Sequence, residues 1–239
     1  MEAFITQSHR PSLSRRQLGM SLVELLVGIT IGLFIVAAAS LMATSQLSDN
    51  RRLLLEVQVQ QDLRATADVI ARELRRAGGR QLAAEGVWSE TIAASANPYR
   101  AITSTPPDYT EVRFDYERGI GLQPLGFKFD AARGVVQSYI GTGWQDLTDG
   151  NTMKVTGFTV RPRLPAIEQV IPCLKACPPP ALSADSCWPK LKVRAYVIVI
   201  PAEARTDDRI ERSLQSEVRL RNDDYVFGDG LSVAEACPA

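Results

Sequence analysis

An α+β fold, with one long N-terminal helix packed on an antiparallel β-sheet, follows from three observations in this 239-residue chain. An uncharged apolar run near the N-terminus passes, without a proline, into an amphipathic helical pattern. That pattern stops at Gly78-Gly79. Beyond it the hydrophobic period changes, and short alternating stretches separated by turn residues read as strands. The chain is 45% hydrophobic and 23% charged. Those values are ordinary for a folded protein and exclude pervasive disorder, a collagenous repeat and a polytopic membrane protein. Lys+Arg and Asp+Glu number 27 each, so the balance points to no nucleic-acid partner. His9 is the only histidine, which leaves the rest of the chain without the commonest general base or metal ligand.

The first element begins after a polar, basic segment. Residues 1–19 carry Arg10, Arg15 and Arg16 against Glu2, and Pro11, Ser12 and Ser14 disfavour a helix there. From Leu25 through Ser48 no residue is charged. As a helix, residues 20–43 reach roughly 36 Å at ~1.5 Å per residue, and a bilayer core is about 30 Å thick. The segment therefore spans with some tilt. It is too long for a secretory signal. A plain anchor fits the length and the basic flank, but it does not explain Glu24. A charge within a spanning helix costs on the order of 2–4 kcal/mol at the centre and less toward the interface. A cut between Gly19 and Met20 places a new amine four residues before Glu24, one helical turn away. Amine and carboxylate then pair within one chain, or between staggered chains.

Gly19 followed by Met20-Ser21-Leu22-Val23-Glu24-Leu25-Leu26 resembles the class III signal of type IV prepilins and type II secretion pseudopilins. The resemblance implies a leader, residues 1–19, removed by a prepilin peptidase that cuts after Gly19 and N-methylates Met20. It gives Glu24 a part in assembly. Met20 stands where that family more often has phenylalanine.

Residues 20–48 form the spanning, filament-core part of the first helix and residues 49–79 its amphipathic part. In the latter, Leu53, Val57, Leu63, Ala67, Ile70 and Leu74 form the expected core-facing stripe, with one apolar position missing near Gln60. Arg51, Arg52, Asp62, Arg64, Asp68, Arg72, Arg75 and Arg76 mostly take the other face. A single helix over residues 20–77 is about 87 Å long.

Residues 80–239 then read as a β-rich head. Strands are expected at Val112–Tyr116, Phe127–Phe129, Val135–Ile140, Met153–Val160, Leu191–Ile200 and Ser213–Arg221. Val193, Ala195, Val197 and Val199 share one face of the fifth. Arg118-Gly119 and Asp149-Gly150-Asn151 mark turns. A helix across one face of an antiparallel sheet buries both apolar surfaces, which is the layout the pilin resemblance also implies. Residues 80–110 and the proline-rich residues 162–190 are long, irregular connections.

Cys173, Cys177, Cys187 and Cys237 lack zinc-finger spacing and have no histidine to assist. In an oxidising compartment an even count indicates disulfides. Three connectivities are open, and Cys237 pairs only by reaching back to residues 173–187. Asp146-x-x-Asp149-Gly150-Asn151 lacks the spacing and closing glutamate of a calcium loop and reads as an acidic turn. Asp207, Asp208 and Arg209, with Asp223 and Asp224, also read as solvated turns. Gly28-x-x-x-Gly32 permits close approach of another helix. There is no nucleophile–base pair, P-loop or dinucleotide fingerprint, so the expectation is a structural protein with no cofactor and no metal, not an enzyme.

In the soluble part, Arg72-Glu73-Leu74-Arg75-Arg76-Ala77-Gly78, Phe114-x-Tyr116, Leu147-Thr148-Asp149 and Val218-Arg219-Leu220-Arg221-Asn222 look like the PilW family of minor pilins. That resemblance implies a subunit that joins other minor pilins in a complex that primes type IV pilus assembly and sits at the tip. Its partners are the other minor pilins and the major pilin, the prepilin peptidase, the inner-membrane assembly platform and a tip adhesin. It implies an inner-membrane precursor, single-pass with its head in the periplasm, that later enters the pilus. A J-type pseudopilin of a type II secretion system has similar size and layout and is the alternative.

Overall fold

The computed structural model describes residues 19–82, 97–119, 124–177, 179 and 183–226. Helix α1 runs Leu22–Arg76, 55 residues. No proline interrupts it, and the Leu25 amide donates to the Ser21 carbonyl to close its first turn. The chain divides into two compact units, residues 1–51 and 52–239. The first contains the apolar part of α1. The second contains the rest of α1 and the strands.

The strands are β1 (Ile102–Ser104), β2 (Glu111–Phe114), β3 (Leu125–Asp130), β4 (Val135–Ile140), β5 (Gly143–Asp146), β6 (Met153–Val155), β7 (Thr159–Pro162), β8 (Ile167–Val170), β9 (Lys190–Val193), β10 (Ala195–Ala204), β11 (Asp207–Arg219) and β12 (Asp224–Val226). β1 to β5 form one sheet in chain order. β10 is central in a second sheet, with β11 on one side and β6 and β7 on the other. A small third sheet has the order β12-β9-β8. The paired strands run antiparallel throughout. This is a pilin-like α+β fold.

One core joins the second part of α1 to the two larger sheets. Val59, Leu63, Ile70 and Leu74 pack with Phe114, Phe127 and Val136 from the first sheet, with Val160, Ile198 and Ile200 from the second, and with Phe158 between β6 and β7. The stripe differs from expectation at its start. Leu53 and Val57 are 58% and 52% exposed, whereas Val59 is 1% exposed and Leu55 packs at the core edge. Leu55, Val59 and Leu63 recur every four residues, so the gap near Gln60 disappears. Three polar contacts flank the stripe. Arg212 donates to Glu56 (2.6 Å), Thr152 to Asp62 (3.1 Å) and Tyr116 to Glu73 (3.0 Å).

Two expected strands are each broken in two. Met153–Val160 becomes β6 and β7 because Thr156–Phe158 leave the ladder. Opposite that break stands Pro201 of β10, whose carbonyl accepts from Thr156 and whose ring would crowd a Cβ on Gly157 at 3.2 Å. The excursion lets Phe158 turn inward, 1% exposed. Leu191–Ile200 breaks at Arg194, where the chain passes from the third sheet to the second. Within β10 the buried face is Tyr196, Ile198, Ile200 and Ala202, while Ala195, Val197 and Val199 are half-buried. Asp207, Asp208 and Arg209 are strand residues, not a turn. The hairpin turn is Arg205-Thr206, and Asp207 pairs with Ala204. Asp224 likewise opens β12.

Arg194 has a structural task. Its guanidinium donates to the carbonyls of Asn222 (3.0 Å) and Arg100 (2.6 Å). Burial pulls its pKa below the ordinary arginine value, offset in part by Asp224. Around it the end of α1 is closed by side chains. Asn222 donates to the Ala77 carbonyl (3.1 Å) and Asn97 to the Gly78 carbonyl (2.7 Å). These satisfy acceptors that a helix C-terminus otherwise leaves open. Gly78 has φ +73°, and a Cβ there would stand 2.8 Å from the Arg194 guanidinium.

Two predictions follow from this packing. Gly78→Ala is expected to destabilise the head by ~1–2 kcal/mol from the left-handed backbone alone, with a further loss from displacing Arg194. Ile70→Ala is expected to cost ~2–5 kcal/mol as a core truncation, and Leu53→Ala to stay within about 0.5 kcal/mol. Denaturant unfolding of the full chain in detergent, followed by tryptophan fluorescence, measures each. Equal losses for Ile70→Ala and Leu53→Ala would contradict the assigned stripe.

Candidate processing and assembly site

The N-terminal unit has features that its own fold leaves without a use. Met20 is 69% exposed, and Leu22, Phe34 and Leu41 are 74%, 78% and 73% exposed. The helix is long and apolar enough to cross a membrane, and none of its most apolar window is buried. An apolar surface around the whole circumference of a helix needs lipid or other helices. Its polar side chains meet the same requirement internally. Thr30 donates to the Val27 carbonyl (2.8 Å), Ser40 to Val36 (2.8 Å) and Thr44 to Leu41 (2.9 Å). Each hydroxyl is thus satisfied without water.

Glu24 stands apart. It lies in the first turn of α1, where the helix dipole favours negative charge. Ser21 precedes the helix and Glu24 is three residues on, the Ser-x-x-Glu spacing of a capping box. That local signal is legible in the sequence, although the Gly19–Glu24 spacing draws attention first. Among the described residues Glu24 has no ion-pair partner, so its carboxylate is available to a group supplied from outside.

Gly19, Gly28 and Gly32 have open surroundings. A Cβ on any of the three meets nothing within 4 Å, and none has positive φ. Nothing in the fold of this chain therefore requires glycine at these positions. The backbone is therefore open to close approach from outside at all three positions.

The cysteines lie far along the chain from these residues. Cys177 and Cys187 form a disulfide, which selects among the three connectivities. Cys173 is also disulfide-bonded, and Cys237 lies outside the described residues. The acidic turn is occupied by the chain's own donors. Asp146 pairs with Arg133 and accepts from Gln137 (2.9 Å), and these hydrogen bonds lower its pKa. Asp149 accepts from the Asn151 amide at 2.9 Å, an Asx turn.

A basic N-terminal segment ending at Gly19, a carboxylate at Glu24 and an apolar helix, followed by an α+β head, define a prepilin-like protein. The model of the prokaryotic N-terminal methylation motif matches residues 14–40. A second model, prepilin peptidase-dependent protein B, matches residues 52–220, more than half of the chain. The chain belongs to the prepilin peptidase-dependent protein B family. No curated protein and no solved structure matches it.

Two outcomes test the site. Intact-mass analysis of membrane-extracted protein is expected to show a chain that begins at N-methylated Met20, and bulky substitutions at Gly19 to abolish the cut. A chain still beginning at Met1, in a host with active prepilin peptidase, would contradict it. Non-reducing peptide mapping is expected to recover Cys177–Cys187, with Cys173 joined to Cys237 and no free thiol.

Proposed function

We propose that the chain is a structural minor pilin of the PilW type that takes part in priming and assembly of a type IV pilus. In this reading the leader is cut after Gly19 and Met20 is N-methylated. The single-pass precursor waits in the inner membrane with its head in the periplasm. It then enters a tip complex with other minor pilins, and its further partners are the major pilin, the assembly platform and a tip adhesin. The observation that supports this most is the pairing of a prepilin signal with an apolar helix that is bare over its whole surface. Glu24 is the one charge in that helix from Leu22 to Ser48.

Glu24 works here by pairing with the Met20 amine of the same or a neighbouring chain. Leaving one charge of a pair alone in low dielectric costs more than the pair contributes net. Glu24→Ala removes the charge altogether, so the lone helix inserts as well as before. The step that suffers is the one in which a neighbour's charged terminus must leave water.

Deleting the gene and scoring surface piliation and type II secretion separately tests the reading. Loss of pili with secretion intact is expected. Intact pili with defective secretion would move the chain to a J-type pseudopilus. Glu24→Ala and Glu24→Gln chains are expected to be cleaved and stable but to recover fewer partner pilins on purification. Undiminished recovery and piliation for both would show that this carboxylate has no part in assembly.

A further inference from the structure

Where α1 ends, three separate segments converge on an open cleft of about 510 Å³. It is lined by Arg75, Arg76, Arg80, Arg118 and Arg221, with Glu117 the only carboxylate among the lining residues. Basic residues in a last helical turn are explained by the helix dipole, which accounts for Arg75 and Arg76. It does not account for Arg118, which follows β2, or Arg221, which follows β11.

The cleft is organised. Tyr116 holds two guanidinium groups over its ring, Arg76 at 4.4 Å and Arg118 at 5.4 Å from the centroid. The Tyr116 hydroxyl is anchored on Glu73. Burial, then the hydrogen bond and the negative charge of Glu73, raise its pKa, so the ring stays neutral under the two cations. The Glu117 carboxylate is already engaged by the Gln81 amide. Arg221 and Arg75 are joined through the backbone, the Arg221 amide donating to the Arg75 carbonyl at 3.2 Å. Among the described residues neither of their side chains has an ion-pair partner, and both are exposed.

The geometry points to a socket for an acidic protein segment, whose Asp and Glu carboxylates the arginine forks grip. Arginine pairs bidentately with a carboxylate. Arg76 and Arg118 are held over Tyr116 and paired with Glu73 (3.6 Å) and Asp115 (3.4 Å), so Arg75 and Arg221 present the open forks. A phosphate ligand suits the cleft less well. Phosphate sites draw on free backbone N–H groups and the positive end of a helix. Here the Gly78 and Gly79 amides already donate to the Asp115 and Arg76 carbonyls. Arginine with tyrosine is also the composition of residues that dominate protein interfaces. That the acidic segment belongs to another prepilin-like subunit rests on the assembly reading above; the socket itself does not.

The test uses the full chain in detergent micelles and a fluorescent hexaglutamate peptide as the probe, with pyrophosphate as competitor. Saturable binding is expected, weakened at least tenfold by Arg75→Ala with Arg221→Ala, and weakened by salt because the contacts are exposed. Arg75→Lys with Arg221→Lys keeps the charge and loses the fork; an intermediate loss is expected, and this pair serves if the alanine pair unfolds. No saturable binding, or binding that neither pair weakens, would overturn the proposal. Displacement by pyrophosphate at lower concentration than by unlabelled hexaglutamate would also overturn it, in favour of a phosphate ligand. Because no filament is needed, binding that persists when gene deletion leaves piliation unchanged would sink the assembly reading and spare the socket.

Discussion

One helix has to satisfy two different surroundings, and the rest of the structure depends on how it does so. From Val59 to Leu74 its apolar side chains form a stripe that the head covers, with Leu63, Ile70 and Leu74 almost wholly buried. From Leu22 to Leu47 its apolar side chains lie on every side and the described residues cover none of the most hydrophobic stretch. A striped helix is completed by its own sheet. An apolar helix without a polar face is completed only by lipid or by similar helices. The first condition makes the head a stable unit. The second leaves a surface that lipid or other helices must cover.

The end of the helix shows how the head is held to it. Asn97 and Asn222 close the last carbonyls, and Arg194 holds Asn222 and Arg100 by their backbones. Gly78 supplies both the left-handed turn and the space that Arg194 needs. The same turn brings Arg75 and Arg76 toward Arg118 and Arg221, so a device that ends a helix also assembles a basic cleft. Structural closure and the proposed recognition surface therefore share residues of one small region, with Tyr116 between them.

What could be read from the sequence was local in character. Gly19, Glu24 and the uncharged run lie within thirty residues, and their meaning depends only on spacing. Most strands were legible from alternation, and the turn at Asp149 from its composition. The stripe was misplaced at its start because Leu53 and Val57 are apolar yet exposed, and periodicity alone does not tell which of two apolar rows the sheet covers. The breaks at Thr156–Phe158 and Arg194 were hidden for a different reason. Each lies against a residue distant in sequence, Pro201 in one case and Asn222 in the other. The arginine cleft gathers side chains from three segments and left no contiguous signal. The Cys177–Cys187 bridge depends on how the proline-rich connection folds back, which spacing alone left open.

We propose that the bare surface of the helix is covered by the helices of other subunits once the chain is in use. A photo-crosslinking residue placed at Phe34, 78% exposed in the chain by itself, tests it in cells. Crosslinks to other prepilin-like subunits are expected from the processed chain, reduced when Glu24 is replaced by alanine. A processed chain that accumulates with Phe34 crosslinked to no other subunit would contradict it.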